Sequence, residues 1–139
     1  MSRFGIEDST TEFKVELTDT LEKEVVAFLN SAKGGDIYIG VDDSGLAVGV
    51  DQTDELQLKI KDRLKNNILP SCLGLFDVIR EEHGGKVVIK IITAGGAENP
   101  YYLKKYGMSE KGCFLRVGSA SEPMPVNMIE QLFARCTRN

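Results

Sequence analysis

The chain has 139 residues, 42% of them hydrophobic, with 17 Lys and Arg against 21 Asp and Glu and a formal net charge of -4. That length sets one domain over 1–139, able to bury roughly 68% of its unfolded surface. The acid excess counts against coating of nucleic acid by bulk charge, which needs many Lys and Arg contacts to phosphate. It leaves room for a local basic patch, or for an acidic site that holds a metal.

The first predicted element is a strand, Glu12 to Leu17. Phe13, Val15 and Leu17 alternate with Glu12, Lys14 and Glu16, one face apolar and the other charged. A helix follows. Asp19 and Glu22 have capping-box spacing, and Leu21, Val25, Phe28 and Leu29 share one face. Lys33-Gly34-Gly35 stops it. Ile37 to Val41 reads as a buried strand, turned by Asp42-Asp43-Ser44-Gly45 into Leu46 to Val50 as a hairpin.

A second helix starts near Thr53, with Asp54 and Glu55 at the positive end of its dipole. Leu56, Ile60, Leu64 and Ile68 recur every four residues, and Pro70 closes the segment. Leu75 to Arg80 pairs with Val87 to Ile92 across Gly84-Gly85. Residues 94–100 form a loop. Tyr101 to Leu103 and Phe114 to Val117 are short strands flanking the loop Gly107 to Gly112. A C-terminal helix spans about 127–136, with Met128, Ile129, Leu132 and Phe133 inward. The expected fold is α+β (mixed α/β), a mostly antiparallel, hairpin-built sheet with two to three packed helices.

No apolar run is long enough to cross a bilayer. Met1-Ser2-Arg3-Phe4-Gly5 lacks the apolar stretch of a signal peptide. A cytoplasmic location with no membrane partner is therefore expected. Cys72, Cys113 and Cys136 lack the spacing of a disulfide framework or a zinc site and read as small hydrophobes.

Three groups of residues carry candidate chemistry. Glu7, Glu12, Asp42 and Asp43 lie at the edges of adjacent predicted strands. Convergent carboxylates of this kind hold Mg²⁺ or Mn²⁺ and activate water. Their bland alternatives are a solvated strand face and a hairpin turn that favours Asp. Asn30 and Gly34-Gly35 form a corner where backbone can approach a ligand, or a plain glycine cap. Lys104, Lys105 and Arg116 are the basic candidates, with Tyr101, Tyr102 and Tyr106 available for stacking. Arg116 with Ser119 suits a phosphate; the alternative for Arg116 is an internal salt bridge to one of the acids. Lysines 59, 61 and 65 with Arg63 read mainly as a solvated helix face.

Taken together, Glu7-x4-Glu12-Phe13-Lys14, Ala27-Phe28-Leu29-Asn30, Gly34-Gly35, Ile39-Gly40-Val41-Asp42-Asp43-x-Gly45, Val48-Gly49-Val50, Asn99-Pro100-Tyr101 and Arg116-Val117-Gly118-Ser119 resemble the schlafen-type AlbA-like family, from about Phe4 to about Ser121. The resemblance implies a nucleic-acid-binding module, DNA or RNA, of the kind found in prokaryotic transcriptional regulators. Many members carry an ATP-binding region after it, so this sequence reads as a stand-alone version or a fragment. The nucleic-acid candidates are Lys14, Asn30, Lys104, Lys105, Arg116 and Ser119. In animal schlafens the similar domain cleaves transfer or ribosomal RNA with three acids. By resemblance these fall on Glu7, Glu12 and an acid of the Val41-Asp42-Asp43 segment, Asp43 in preference to Asp42, the same trio that would hold Mg²⁺ or Mn²⁺. The alternatives to a binding module are thus a metal-dependent endoribonuclease acting on structured RNA and a protein-interaction or dimerisation domain. A homo-oligomer is compatible with each.

Overall fold

The Phe13 strand is shorter than its alternation suggests. In the computed structural model, which describes residues 4–137 and side chains through Arg135, β1 spans Thr11–Lys14. Val15 is 54% exposed, so the apolar alternation beyond Lys14 meets no sheet. The expectation built on Met1-Ser2-Arg3, and the side chain of Cys136, lie outside the described residues.

Helix α1 (Leu21–Leu29) crosses from β1 to β2 (Gly35–Ile39). These two strands pair in parallel, with Glu12 opposite Ile37 and Phe13 opposite Tyr38. The central sheet runs β1-β2-β5-β4, completed by the antiparallel hairpin β4 (Phe76–His83) and β5 (Lys86–Thr93). Helix α2 (Thr53–Asn67) precedes β3 (Ile68–Leu69), which pairs with β6 (Tyr102–Leu103). β7 (Phe114–Val117) pairs with β8 (Ala120–Pro123), and α3 (Val126–Thr137) follows. The α+β expectation, with antiparallel pairing dominant and three helices, is borne out.

The main core forms because α1 and α2 lay their apolar stripes on one sheet face. Leu21, Val25, Phe28 and Leu29 meet Ile37, Ile39, Ile89 and Ile91, with Ile60 and Leu64 from α2. Every one of these is at most 2% exposed. The other face holds a smaller cluster of Phe13, Val41 and Val88, against which Phe4 and Tyr38 pack. α3 covers a third cluster through Ile129, with Met128 and Leu132 at its margin. Phe133, expected inward, is instead 48% exposed.

Two local expectations are corrected. The Asp19–Glu22 capping box does not form: Thr20 holds the N-cap position without a side-chain bond to the backbone, because Glu22 is engaged by α2. The Leu46–Val50 arm is not a full strand. It makes one bridge, Val41 to Ala47, before turning toward β5 through Val50 N–H to the Val87 carbonyl. The α1–β2 corner needs its two glycines for different reasons. Gly34 has φ +66°, the left-handed region, and a Cβ there would strike the Thr93 carbonyl. A Cβ on Gly35 would overlap the Phe28 ring.

Candidate functional site

Because Glu12 sits opposite Ile37, its side chain and that of Lys14 project from the helix-covered face of the sheet rather than into solvent. There they meet α1 and β7. Arg116 is the hub, its side chain 1% exposed. Nη2 donates to the Asp8 carbonyl at 2.9 Å and to the Thr11 carbonyl at 3.1 Å, and forms an ion pair with Glu12 Oε1 at 2.8 Å. Nη1 donates to Glu24 Oε2 at 3.0 Å and to Ser121 Oγ at 3.1 Å. The Ser121 hydroxyl in turn donates to Glu24 Oε2 at 2.7 Å. Lys14 Nζ lies 3.5 Å from Glu12 Oε2 and 4.0 Å from Glu24 Oε1. The guanidinium also stacks 4.8 Å from the Phe28 ring centroid. Arg116 thus ties β7 to α1 and to the turn before β1.

Glu7 joins the same cluster. Its Oε2 accepts the Phe13 N–H at 3.1 Å, and its carboxyl lies beside that of Glu12. Burial pushes the Glu12 carboxyl above the ordinary glutamate range, and the Glu7 carboxyl pushes the same way. The Arg116 guanidinium opposes both and does not prevail. The geometry is that of two neighbouring carboxyls, one of them paired with a buried cation.

Asp43 is placed apart from this pair, exposed in the turn after β2. That turn is built by Asp42, whose Oδ1 accepts from the Ser44 N–H, the Ser44 hydroxyl and the Leu46 N–H. The turn rests on the N-terminal segment through the Phe4 N–H to the Gly45 carbonyl, 2.8 Å. Among the described residues no group of three or more His, Cys, Asp or Glu side chains could hold a metal ion. Glu7 is instead occupied by a backbone N–H, and Glu12 by a guanidinium and an ammonium. With two cations already against Glu12, the set fits Mg²⁺ or Mn²⁺ poorly.

Asn30 is buried and stitches three segments together. Its Nδ2 donates to the Tyr101 carbonyl at 3.0 Å and to the Phe114 carbonyl at 2.9 Å. Its Oδ1 accepts the Tyr101 N–H at 2.7 Å. The Ala-Phe-Leu-Asn run therefore positions the β6 and β7 entrances, and its amide is fully used. Ser119 is exposed in the β7–β8 turn, and Arg116 bonds Ser121 instead. Cys72 and Cys113 are buried, which pushes each thiol up to about 11; neither is poised as a nucleophile.

Lys104 and Lys105 are brought to a different place, a cleft of about 860 Å³ between the start of α1, the end of α2 and the loop after β6. Lys23, Asn66, Asn67 and Tyr106 join them there. The Lys104 N–H bonds the Asn67 carbonyl at 2.9 Å, which sets the loop against the α2 terminus. Lys105 Nζ lies 5.3 Å from the Tyr106 ring centroid, and Lys23 Nζ 5.5 Å from that of Phe114. No ion pair among the described residues holds Lys23, Lys104 or Lys105. Asp19 and Glu22 also line the cleft. Glu22 is spoken for by Arg63, whose Nε donates to Oε2 at 2.9 Å, and by Asn67 Nδ2 at 2.8 Å. Burial raises the Glu22 carboxyl, but these hydrogen bonds outweigh it and hold the group below its ordinary value.

Lys23, Asn66 and Asn67 were not legible as site residues, since helix-surface residues far apart in sequence give no local signal. Glu24 and Ser121 were missed as Arg116 partners for the same reason.

The chain is similar in fold to two solved structures. The DIP2311 protein from Corynebacterium diphtheriae matches at 21% identity and TM-score 0.65, over 94% of this chain and 24% of that one. This chain therefore spans about a quarter of that protein. The second is the N-terminal domain of a Nitrosomonas europaea protein named for its relation to the ATP-dependent DNA helicase RecG. It matches at 20% identity and TM-score 0.55, over 84% of this chain and 78% of that one. No curated protein matches the chain. The family described as Schlafen, AlbA_2 matches residues 7–125, a span that holds the Glu7–Glu12–Arg116 cluster and the lysine cleft alike. This chain belongs to the Schlafen AlbA_2 family.

Proposed function

We propose that this chain is a nucleic-acid-binding module that grips its ligand in the lysine cleft, serving a DNA-directed protein of the transcriptional-regulator kind. The observation that carries this reading is the meeting of Lys23, Lys104 and Lys105 with Tyr106 in one cleft of an otherwise acidic chain. Lysines supply phosphate contacts, and a half-exposed tyrosine supplies a face for a base. The relation of one fold neighbour to a DNA helicase points the same way. Arg116 and Asn30 support the fold in this reading and do not touch the ligand. Fluorescence anisotropy with a labelled single-stranded oligonucleotide tests it. Lys104→Ala/Lys105→Ala should weaken binding about tenfold or more, as expected for two lost phosphate contacts. Equal binding by the double variant and the wild type would remove the cleft from the account.

One observation favours a second reading, an endoribonuclease acting on structured RNA: the approach of Glu7 to Glu12 with Lys14 beside them. A carboxyl whose proton affinity is raised by burial and by a neighbouring carboxyl suits general acid work on a phosphodiester. Cleavage of a structured RNA with Mn²⁺, and again with chelator, compares wild type with Glu12→Gln. Loss of cutting in the variant supports the reading. No cutting by folded wild type leaves Glu7 and Glu12 structural.

A further inference from the structure

Where α1 ends and the chain turns into β2, a notch of about 320 Å³ opens, separate in its lining from the lysine cleft. Ser9, Thr10, Asn30, Ser31, Lys33 and Arg116 line it, and none of its lining residues is an acid. Lys33 is exposed and has no hydrogen bond or ion pair among the described residues. The Ser9 hydroxyl is equally free among them. Arg116 forms part of the wall, its charge offset by Glu12 and Glu24 and its side chain closed to solvent. A free ammonium and a free hydroxyl in a wall without acids call for an anion with several acceptor oxygens. A tetrahedral phosphate offers acceptors in more directions than a planar carboxylate does. The left-handed Gly34 lets the backbone bend closely around the same space.

We infer that this notch is a phosphate-binding subsite, with Lys33 as its charged ligand-contacting residue and the Ser9 hydroxyl beside it. The inference rests on the nucleic-acid reading and deepens it: the phosphate belongs to the polynucleotide, either at its 5′ end or within its backbone.

The test is an NMR titration of the full chain with inorganic phosphate, with a 5′-phosphorylated pentanucleotide and with its unphosphorylated counterpart. The expected result is amide shifts at Ser9, Thr10, Ser31 and Lys33 with at least one oligonucleotide. Lys33→Gln should weaken that response about tenfold, the scale of one lost charge-assisted contact. A response to the phosphorylated strand alone assigns the end phosphate, and an equal response to both assigns the backbone. Response to inorganic phosphate only, or shifts unchanged in Lys33→Gln, would overturn the subsite. Binding lost in Lys104→Ala/Lys105→Ala with the notch amides silent in wild type also overturns it, and leaves the cleft standing. Notch shifts that persist with unchanged affinity in that double variant support the subsite and contradict the cleft.

Discussion

Glu12 and Glu22 are both buried glutamates facing an arginine, and they respond to pH in opposite senses. Glu22 is held below the ordinary value of 4.5 once the Arg63 and Asn67 bonds have outweighed its burial. Its stabilisation is full above that value and is lost as pH falls through the folded-state value. Glu12 is raised above 4.5, by burial first and by Glu7 second. Its folded form holds the proton longer than the unfolded chain does, so stability is greatest below 4.5 and is lost as pH rises through the folded-state value. Glu22→Gln should therefore cost about 1.5–3 kcal/mol at neutral pH, the range for hydrogen bonds to a charged group, and flatten acid unfolding. Glu12→Gln should flatten the decline on the other side. Urea unfolding at several pH values reads both slopes, and parallel curves for wild type and Glu22→Gln would contradict the assignment. At this scale the sequence was only half legible. It offered Glu12 and Arg116 as chemistry or as a salt bridge, and the salt bridge is what the fold makes. Glu24, the second partner, lies 92 residues from Arg116, a separation that no local pattern spans.

The elements that were legible are those whose pattern has one physical outcome. In α1, the apolar spacing of Leu21, Val25, Phe28 and Leu29 admits one buried face, and all four are buried. The β4–β5 hairpin was marked at its turn by Gly84-Gly85 and along its arms by β-branched residues. β3 and β8 were not legible. Each pairs through backbone in a stretch too short or too polar to alternate: Ile68–Leu69, and Ala120–Pro123. Lys14 and Glu12 mimicked a solvated face because the partners that cover them come from α1 and β7. Phe28 is fully buried and packs on Gly35, so Phe28→Ala should cost about 3–5 kcal/mol. Gly35→Ala should also destabilise, since its Cβ would press on that same ring. Chemical denaturation measures both, and a Phe28→Ala loss below about 1 kcal/mol would contradict the packing of α1 on the sheet.

For the whole molecule, the distribution of charge matters more than its sum. The chain carries a net charge of -4, yet Glu12, Glu22 and Glu24 are consumed by Arg63, Arg116 and Lys14. Lys23, Lys104 and Lys105 are left without ion pairs among the described residues, on one cleft. An acidic protein can in this way present a basic surface to a polyanion. The most direct measurement of the central claim is the slope of log affinity against log salt for a single-stranded oligonucleotide. Wild type should lose affinity steeply as salt rises. Lys104→Ala and Lys105→Ala should each reduce the slope by about one unit, whatever the base sequence. A slope near zero in wild type, or one that both substitutions leave unchanged, would contradict the account.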